Sequence, residues 1–220
     1  MAEQSTLRLV VLISGIGSNL QAIRDQEHEI GAHVCAVISN RPDAQGLQRA
    51  AAAGIPALVV DHRAYPERAA FDAELAEAID AHAPNLIVLA GFMRVLTPAF
   101  VLRYQGRMLN IHPSLLPAWR GLHTHARVLA QGECWHGCSV HYVTPELDGG
   151  PVVLQARVPV LADDTIERLQ QRVQRQEHVI YPRVIQWIAQ GRLIWREDMP
   201  WLDGTPLSSP VILEANEEMS

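Results

Sequence analysis

The chain has 220 residues, is 48% hydrophobic and 19% charged, and carries a net charge of −6. That length fits one or two domains and can bury a sizeable core without disulfides or metals; the composition excludes wholesale disorder. The negative charge argues against a nucleic-acid binder, which shows a basic stripe, but not against a small anion held by backbone N–H groups at a helix start.

The pattern alternates strands and helices. Leu7–Ser14 reads as a buried strand and Ser18–Glu27 as a helix. Val34–Ser39 is the next strand, followed by an alanine-rich helix over Ala44–Ala53 that Gly54 ends. Ala57–Val60 is a third strand, and Pro66–Ala81 a helix with Phe71, Leu75 and Ile79 on one face. Leu86–Ala90 is a fourth apolar run, Thr97–Tyr104 a short helix and Met108–Ile111 a strand. Thr124–Ala130 reads as a helix, with strands at Gly137–Val143 and Val152–Val160. Asp164–Ile188 is a long helical stretch, expected to break or kink near Pro182.

Nearly unbroken apolar strands alternating with helices imply a parallel sheet covered on both faces. The fold class is therefore α/β, Rossmann-like, with a mostly parallel central sheet of about seven strands. No composition shift marks a linker, so residues 1–220 are expected to form one domain, with a core over 7–202 and a loose tail over 203–220. One edge strand is expected in that tail, at Pro210–Leu213. No basic segment followed by an apolar run opens the chain, and no stretch approaches about 18 apolar residues, so neither a secretory signal nor a membrane span is expected. Three cysteines, Cys35, Cys134 and Cys138, fit reduced thiols and a cytoplasmic location.

Ser14-Gly15-Ile16-Gly17-Ser18-Asn19 follows the first strand and opens a helix. It supports either a plain tight turn or a phosphate site built from free N–H groups at the helix start. A dinucleotide fingerprint would place a third glycine where Leu20 stands and an acidic residue where Ser39 and Asn40 stand; a Walker loop would need a lysine that this segment lacks.

The most informative stretch is Met108 to Pro117. Residues two apart on a strand share a face, so Asn110 and His112 point the same way and Leu109 and Ile111 the other. Pro113 keeps His112 extended and stops the strand. An amide donor and a titratable ring thus stand side by side at a strand end, where ligands of open α/β sheets sit. Glu146-Leu147-Asp148-Gly149-Gly150-Pro151 follows another strand and reads either as a turn or as a loop carrying a carboxylate toward a neighbouring strand end. Cys134, His136, Cys138 and His141 lie close in sequence, but strand parity sets Cys138 and His141 on opposite sides, so no metal site is expected.

Several ordered segments together resemble the phosphoribosylglycinamide formyltransferase family of purine biosynthesis. They are Ser14–Leu20, Leu89–Arg94, Asn110–Pro117, Gly121–His125, Glu146–Pro151 and Gln176–His178, and the likeness runs from Leu7 to Leu202. The resemblance implies a formyltransferase fold and transfer of a formyl group from 10-formyltetrahydrofolate to the amine of glycinamide ribonucleotide. It implies Asn110, His112 and Asp148 as catalytic residues. Gly17, Ser18 and Asn19 match the loop holding the substrate phosphate, and Glu177 an acidic residue that contacts glycinamide ribonucleotide. Arg68, Met93, Arg94, Val95 and Leu96, with Asn110, match positions around the folate. The partners implied are these two small molecules, with no nucleic acid, membrane or metal; oligomeric state is left open, a homodimer included. Ala118-Trp119-Arg120-Gly121 departs from the family's common Lys-aromatic-Pro-Gly form and is similar to methionyl-tRNA formyltransferases.

The chemistry asks for these residue types. Formyl transfer to an amine passes through a tetrahedral intermediate, whose oxyanion an asparagine amide can stabilise. A histidine can hold that charge or move a proton toward the leaving nitrogen, and a carboxylate beside it favours the imidazolium. The alternatives are a formyltetrahydrofolate hydrolase, a formyltransferase acting on another amine, and a non-catalytic folate or phosphosugar binder.

Overall fold

A computed structural model describes residues 6–214. An eight-stranded sheet forms its centre. In chain order the strands are β1 (Leu7–Ile13), β2 (Ala32–Ser39), β3 (Ala57–Val59), β4 (Leu86–Leu89), β5 (Met108–His112), β6 (Trp135–Tyr142), β7 (Val152–Pro159), β8 (Leu193–Arg196), β9 (Met199–Leu202), β10 (Thr205–Pro206) and β11 (Val211–Glu214). The central order is β11-β7-β6-β5-β4-β1-β2-β3. The five strands β3, β2, β1, β4 and β5 run parallel. Only β6 opposes its neighbours β5 and β7, and β11 lies parallel to β7.

The unbroken apolar run of β1 has a direct cause. Leu9, Val11 and Ile13 face one hydrophobic cluster while Val10 and Leu12 face another, all fully buried. The first cluster packs under α1 (Ser18–Asp25), α2 (Glu27–Ile30), α3 (Gln45–Ala52), α6 (Thr124–Gln131) and α7 (Ile166–Ala189). The second packs under α4 (Arg68–Asp80) and α5 (Pro98–Arg103). A strand buried on both faces has no polar side to alternate with.

Two findings depart from the sequence expectation. First, of the break or kink expected near Pro182 the break does not occur: α7 runs 24 residues through the proline. A helix-interior proline costs about 3 kcal/mol, but Ile180, Tyr181, Val184 and Ile185 around it are fully buried, and the single hydroxyl hydrogen of Tyr181 is shared between the Leu89 and Leu109 carbonyls, 3.0 and 3.1 Å from its oxygen. Burial of four large side chains offsets one lost hydrogen bond. Second, β8, β9 and β10 form a small antiparallel sheet for which no strands were expected, only β10 lying in the tail read as loose, and Trp195 anchors it against Tyr142 at 4.7 Å between ring centroids. The eight strands agree with the expected mostly parallel sheet of about seven, and β11 is the edge strand expected at Pro210–Leu213, shifted by one residue. Among the described residues, no helix is long and apolar enough to cross a membrane.

The strand order reverses at β1, whose neighbours are β4 on one side and β2 on the other. A crevice opens at such a point, beyond the C-terminal ends of the strands. The glycine loop follows β1, residues 91–96 follow β4, and His112 closes β5.

Candidate active site

Asn110 and His112 share one face of β5, while Leu109 and Ile111 enter the opposite core cluster. His112 is 6% exposed. Its Nε2 lies 3.1 Å from the Trp119 carbonyl, which can only accept, so that nitrogen carries a hydrogen. Its Nδ1 faces Asp148 Oδ2 at 3.6 Å, an ion-pair distance for the protonated ring. The chain turns left-handed at Asp148, with φ of 48°, and the same Oδ2 accepts the Gly121 N–H at 2.9 Å. A non-glycine residue held in that region stores strain, and the surrounding loop has to enforce it.

Asn110 is oriented by a residue that the sequence reading weighed only as a metal ligand. Antiparallel register sets His141 of β6 directly opposite Asn110. His141 Nδ1 lies 3.0 Å from the Tyr142 carbonyl and therefore donates, leaving Nε2 as acceptor for the Asn110 amide at 3.0 Å. One amide hydrogen is spent there; the other and Oδ1 remain for a ligand. Asp148 Oδ1 stands 3.9 Å from the same His141 nitrogen. Burial pushes the His141 pKa down to about 4, with a smaller opposing pull from the Tyr142 carbonyl and Asp148, so the ring is neutral at pH 7.

A second buried network fixes the loop after His112. Ser139, opposite His112 in register, donates to the Ser114 carbonyl at 2.6 Å and accepts the Leu116 N–H at 3.1 Å. Gln155 of β7 donates to the Leu116 carbonyl at 2.8 Å, and Thr124 to the Pro113 carbonyl at 2.6 Å. Trp119 and Arg120, the departure noted in sequence, are part of this loop: Arg120 pairs with Glu146 in the Asp148 loop, and the Arg127 guanidinium lies 5.2 Å from the Trp119 ring centre.

The glycine loop gathers its own set. Gly17 has φ of 76°, and a Cβ there would lie 2.9 Å from the Gly46 backbone, so only glycine fits. The first hydrogen bond of α1 runs from the Gln21 N–H to the Gly17 carbonyl at 3.0 Å, which leaves the earlier N–H groups at the helix start without an intrahelical partner. Gln174 of α7 reaches Ser18 Oγ at 3.0 Å, and Asn19 donates to Glu177 Oε2 at 2.9 Å. Glu177 is 9% exposed; burial pushes its pKa up, partly opposed by the Asn19 bond. Asn19 Oδ1 is buried without a partner. Gly17, Ser18, Asn19 and Glu177 thus come together, although Glu177 lies far along the chain.

Residues 93–96 follow β4. Met93 and Val95 are 68% and 51% exposed, whereas Leu96 is buried. The Arg94 guanidinium lies 4.5 Å from the Phe71 ring centre, and its Nε is buried without a partner. Arg68, the first residue of α4, is exposed on the helix that also carries Phe71.

The four residues that tempted a metal reading diverge. His136 meets His125 at 3.0 Å, His141 meets Asn110, Cys138 is buried against α7 and Cys134 is exposed. Among the described residues, no group of three or more His, Cys, Asp or Glu is placed to share an ion.

Buried neutral histidines make stability depend on pH. Burial pushes His136 down to about 3, with smaller contributions from His125 and His112, and it lowers His125 and His178 as well. An unfolded imidazole titrates near ~6.5, so below that pH the unfolded chain binds more protons than the folded one. Stability is therefore full above about pH 6.5 and falls as the pH drops toward 4. Between pH 7 and pH 5, His136 and His141 each cost roughly 1 to 2 kcal/mol. The urea midpoint is expected to be clearly lower at pH 5; an unchanged midpoint would mean that these rings are not held neutral.

Comparison with known proteins now adds to the geometry. The formyl transferase family model matches residues 7–185. Phosphoribosylglycinamide formyltransferase of Escherichia coli K12 is 56% identical over 203 residues, covering 91% of this chain and 96% of that protein. The Haemophilus influenzae protein of the same name is 45% identical, covering 91% and 95%. A solved structure of phosphoribosylglycinamide formyltransferase from Coxiella burnetii superposes with a TM-score of 0.90 at 52% identity, covering 94% of this chain and 99% of that one.

Proposed function

Because this chain belongs to the formyl transferase family, we propose that it transfers the formyl group of 10-formyltetrahydrofolate to the amine of glycinamide ribonucleotide. The products are formylglycinamide ribonucleotide and tetrahydrofolate. The observation that carries the reading is the meeting of Asp148 with His112, 3.6 Å apart, beside Asn110 at one strand end. A binding protein would have no need of that trio.

The amine attacks the formyl carbon, and the carbonyl oxygen takes up the charge. The unspent amide hydrogen of Asn110 donates to that oxygen; one such donor is worth roughly 100- to 1,000-fold in rate. His112, with Asp148 3.6 Å from its Nδ1, supports the same charge or passes a proton to the folate nitrogen as the carbon–nitrogen bond breaks. The proton lost by the attacking amine balances the one gained by the leaving nitrogen. Gly17, Ser18 and Asn19 supply helix-start N–H groups to a phosphomonoester. The orphaned Asn19 Oδ1 and the buried Glu177 carboxyl suit sugar hydroxyls. The exposed Met93 and Val95 offer apolar contact for a flat pterin, and the Arg94 guanidinium a cation for a carboxylate. Both substrates are soluble metabolites, which implies work in the cytoplasm.

Absorbance assay of 10-formyltetrahydrofolate consumption, with and without glycinamide ribonucleotide, tests the reading. Consumption only with the ribonucleotide is expected. Equal consumption without it would make the protein a hydrolase, and none in either case would leave a binding protein.

A further inference from the structure

We infer that Ser14 is a positioning residue that fixes the loop after β4 against the glycine loop, so that the subsite for the formyl carrier depends on this one hydroxyl. The inference rests on reading residues 93–96 as the folate-side loop.

Ser14 follows β1 at the point where the strand order reverses, and it is 5% exposed. It makes three hydrogen bonds to two neighbouring strand ends. Its N–H donates to the Gly91 carbonyl at 3.1 Å, and its Oγ accepts the Met93 N–H at 2.7 Å. Its hydroxyl hydrogen goes to Asn40 Oδ1 at 2.6 Å. Asn40, 3% exposed, stands just past β2, and its carbonyl is held in turn by His62 Nδ1 at 2.8 Å. An amide oxygen only accepts, so it fixes the hydroxyl rotor and turns an oxygen lone pair toward Met93. The far end of the loop is tied separately, by the Thr97 N–H to Asp72 Oδ2 at 2.7 Å. Between these ties Met93 and Val95 face outward.

The glycine loop does not depend on this contact in the same way. Its other side is held by the Gly46 N–H to the Gly15 carbonyl and by Arg49 to the Ile16 carbonyl, both at 3.0 Å. Losing the hydroxyl should therefore move the folate side and spare the phosphate side. An alanine at position 14 would leave Asn40 Oδ1 unpaired in a buried setting and the part-buried Met93 N–H without its acceptor, losses that change equilibria severalfold to a hundredfold.

The test measures the KM for 10-formyltetrahydrofolate, kcat, and the dissociation constant for glycinamide ribonucleotide by calorimetry. For Ser14→Ala the folate KM is expected to rise about tenfold or more, with ribonucleotide affinity within about threefold of the unsubstituted chain. Asn40→Asp keeps an acceptor for the hydroxyl and should stay near the original KM, while Asn40→Leu frees the rotor and should raise it. An unchanged folate KM in Ser14→Ala overturns the inference, as does an equal loss on both substrates. Should Ser14→Ala not fold, equal KM values in the two Asn40 variants overturn it. No consumption by the unsubstituted chain sinks the functional reading and this inference with it; normal consumption with an unshifted KM sinks this inference alone.

Discussion

Replacing His112 by alanine is expected to lower turnover roughly 100- to 10,000-fold, the range of a positioned proton-transferring group. The ring's polar contacts are one hydrogen bond to the Trp119 carbonyl and the approach to Asp148. Losing them costs the fold about 1 to 3 kcal/mol, and most of a domain's stability survives that. Far-UV circular dichroism and the urea midpoint separate the two effects: turnover collapses while the folded signal stays. Asp148→Asn isolates the carboxylate. Its amide oxygen still accepts the Gly121 N–H, now made to Asp148 Oδ2 at 2.9 Å, so the loop keeps its tie and only the charge beside the imidazole is lost. Turnover about 100-fold lower or worse is expected. Near-normal rates in both purified variants would defeat the assigned roles.

Asn110→Ala is expected to reduce kcat by about 100- to 1,000-fold with a much smaller effect on KM, because the oxyanion exists only along the reaction path. The same substitution leaves His141 Nε2 without its donor at 3.0 Å. That ring is 2% exposed and neutral, so the orphaned acceptor adds a stability loss of about 1 to 3 kcal/mol. A variant whose KM rises while kcat is kept would show that Asn110 binds substrate without stabilising the transition state.

Much of the site was legible because its signals are local. The two-residue period of a strand puts Asn110 and His112 on one face whatever the rest of the chain does. Gly17 read as a turn at a helix start, and at φ 76° against Gly46 it is one. The partners of these residues were not legible. His141 looked like a candidate ligand beside Cys138; only the antiparallel register of β5 and β6 makes it the support of Asn110. Gln174 and Glu177 reach Ser18 and Asn19 only because α7 lies against α1.

Sequence by itself determined the layered α/β architecture, the strand-end pair Asn110 and His112, and the glycine turn after the first strand. Each follows from backbone periodicity or from a residue's own conformational freedom, which act over a few positions. Only the tertiary structure decided that Asp148 faces His112, that His141 orients Asn110, that Ser14 ties two loops, and that α7 passes through Pro182. Those outcomes depend on register, burial and contacts between distant segments, whose energies arise only once the chain has closed on itself.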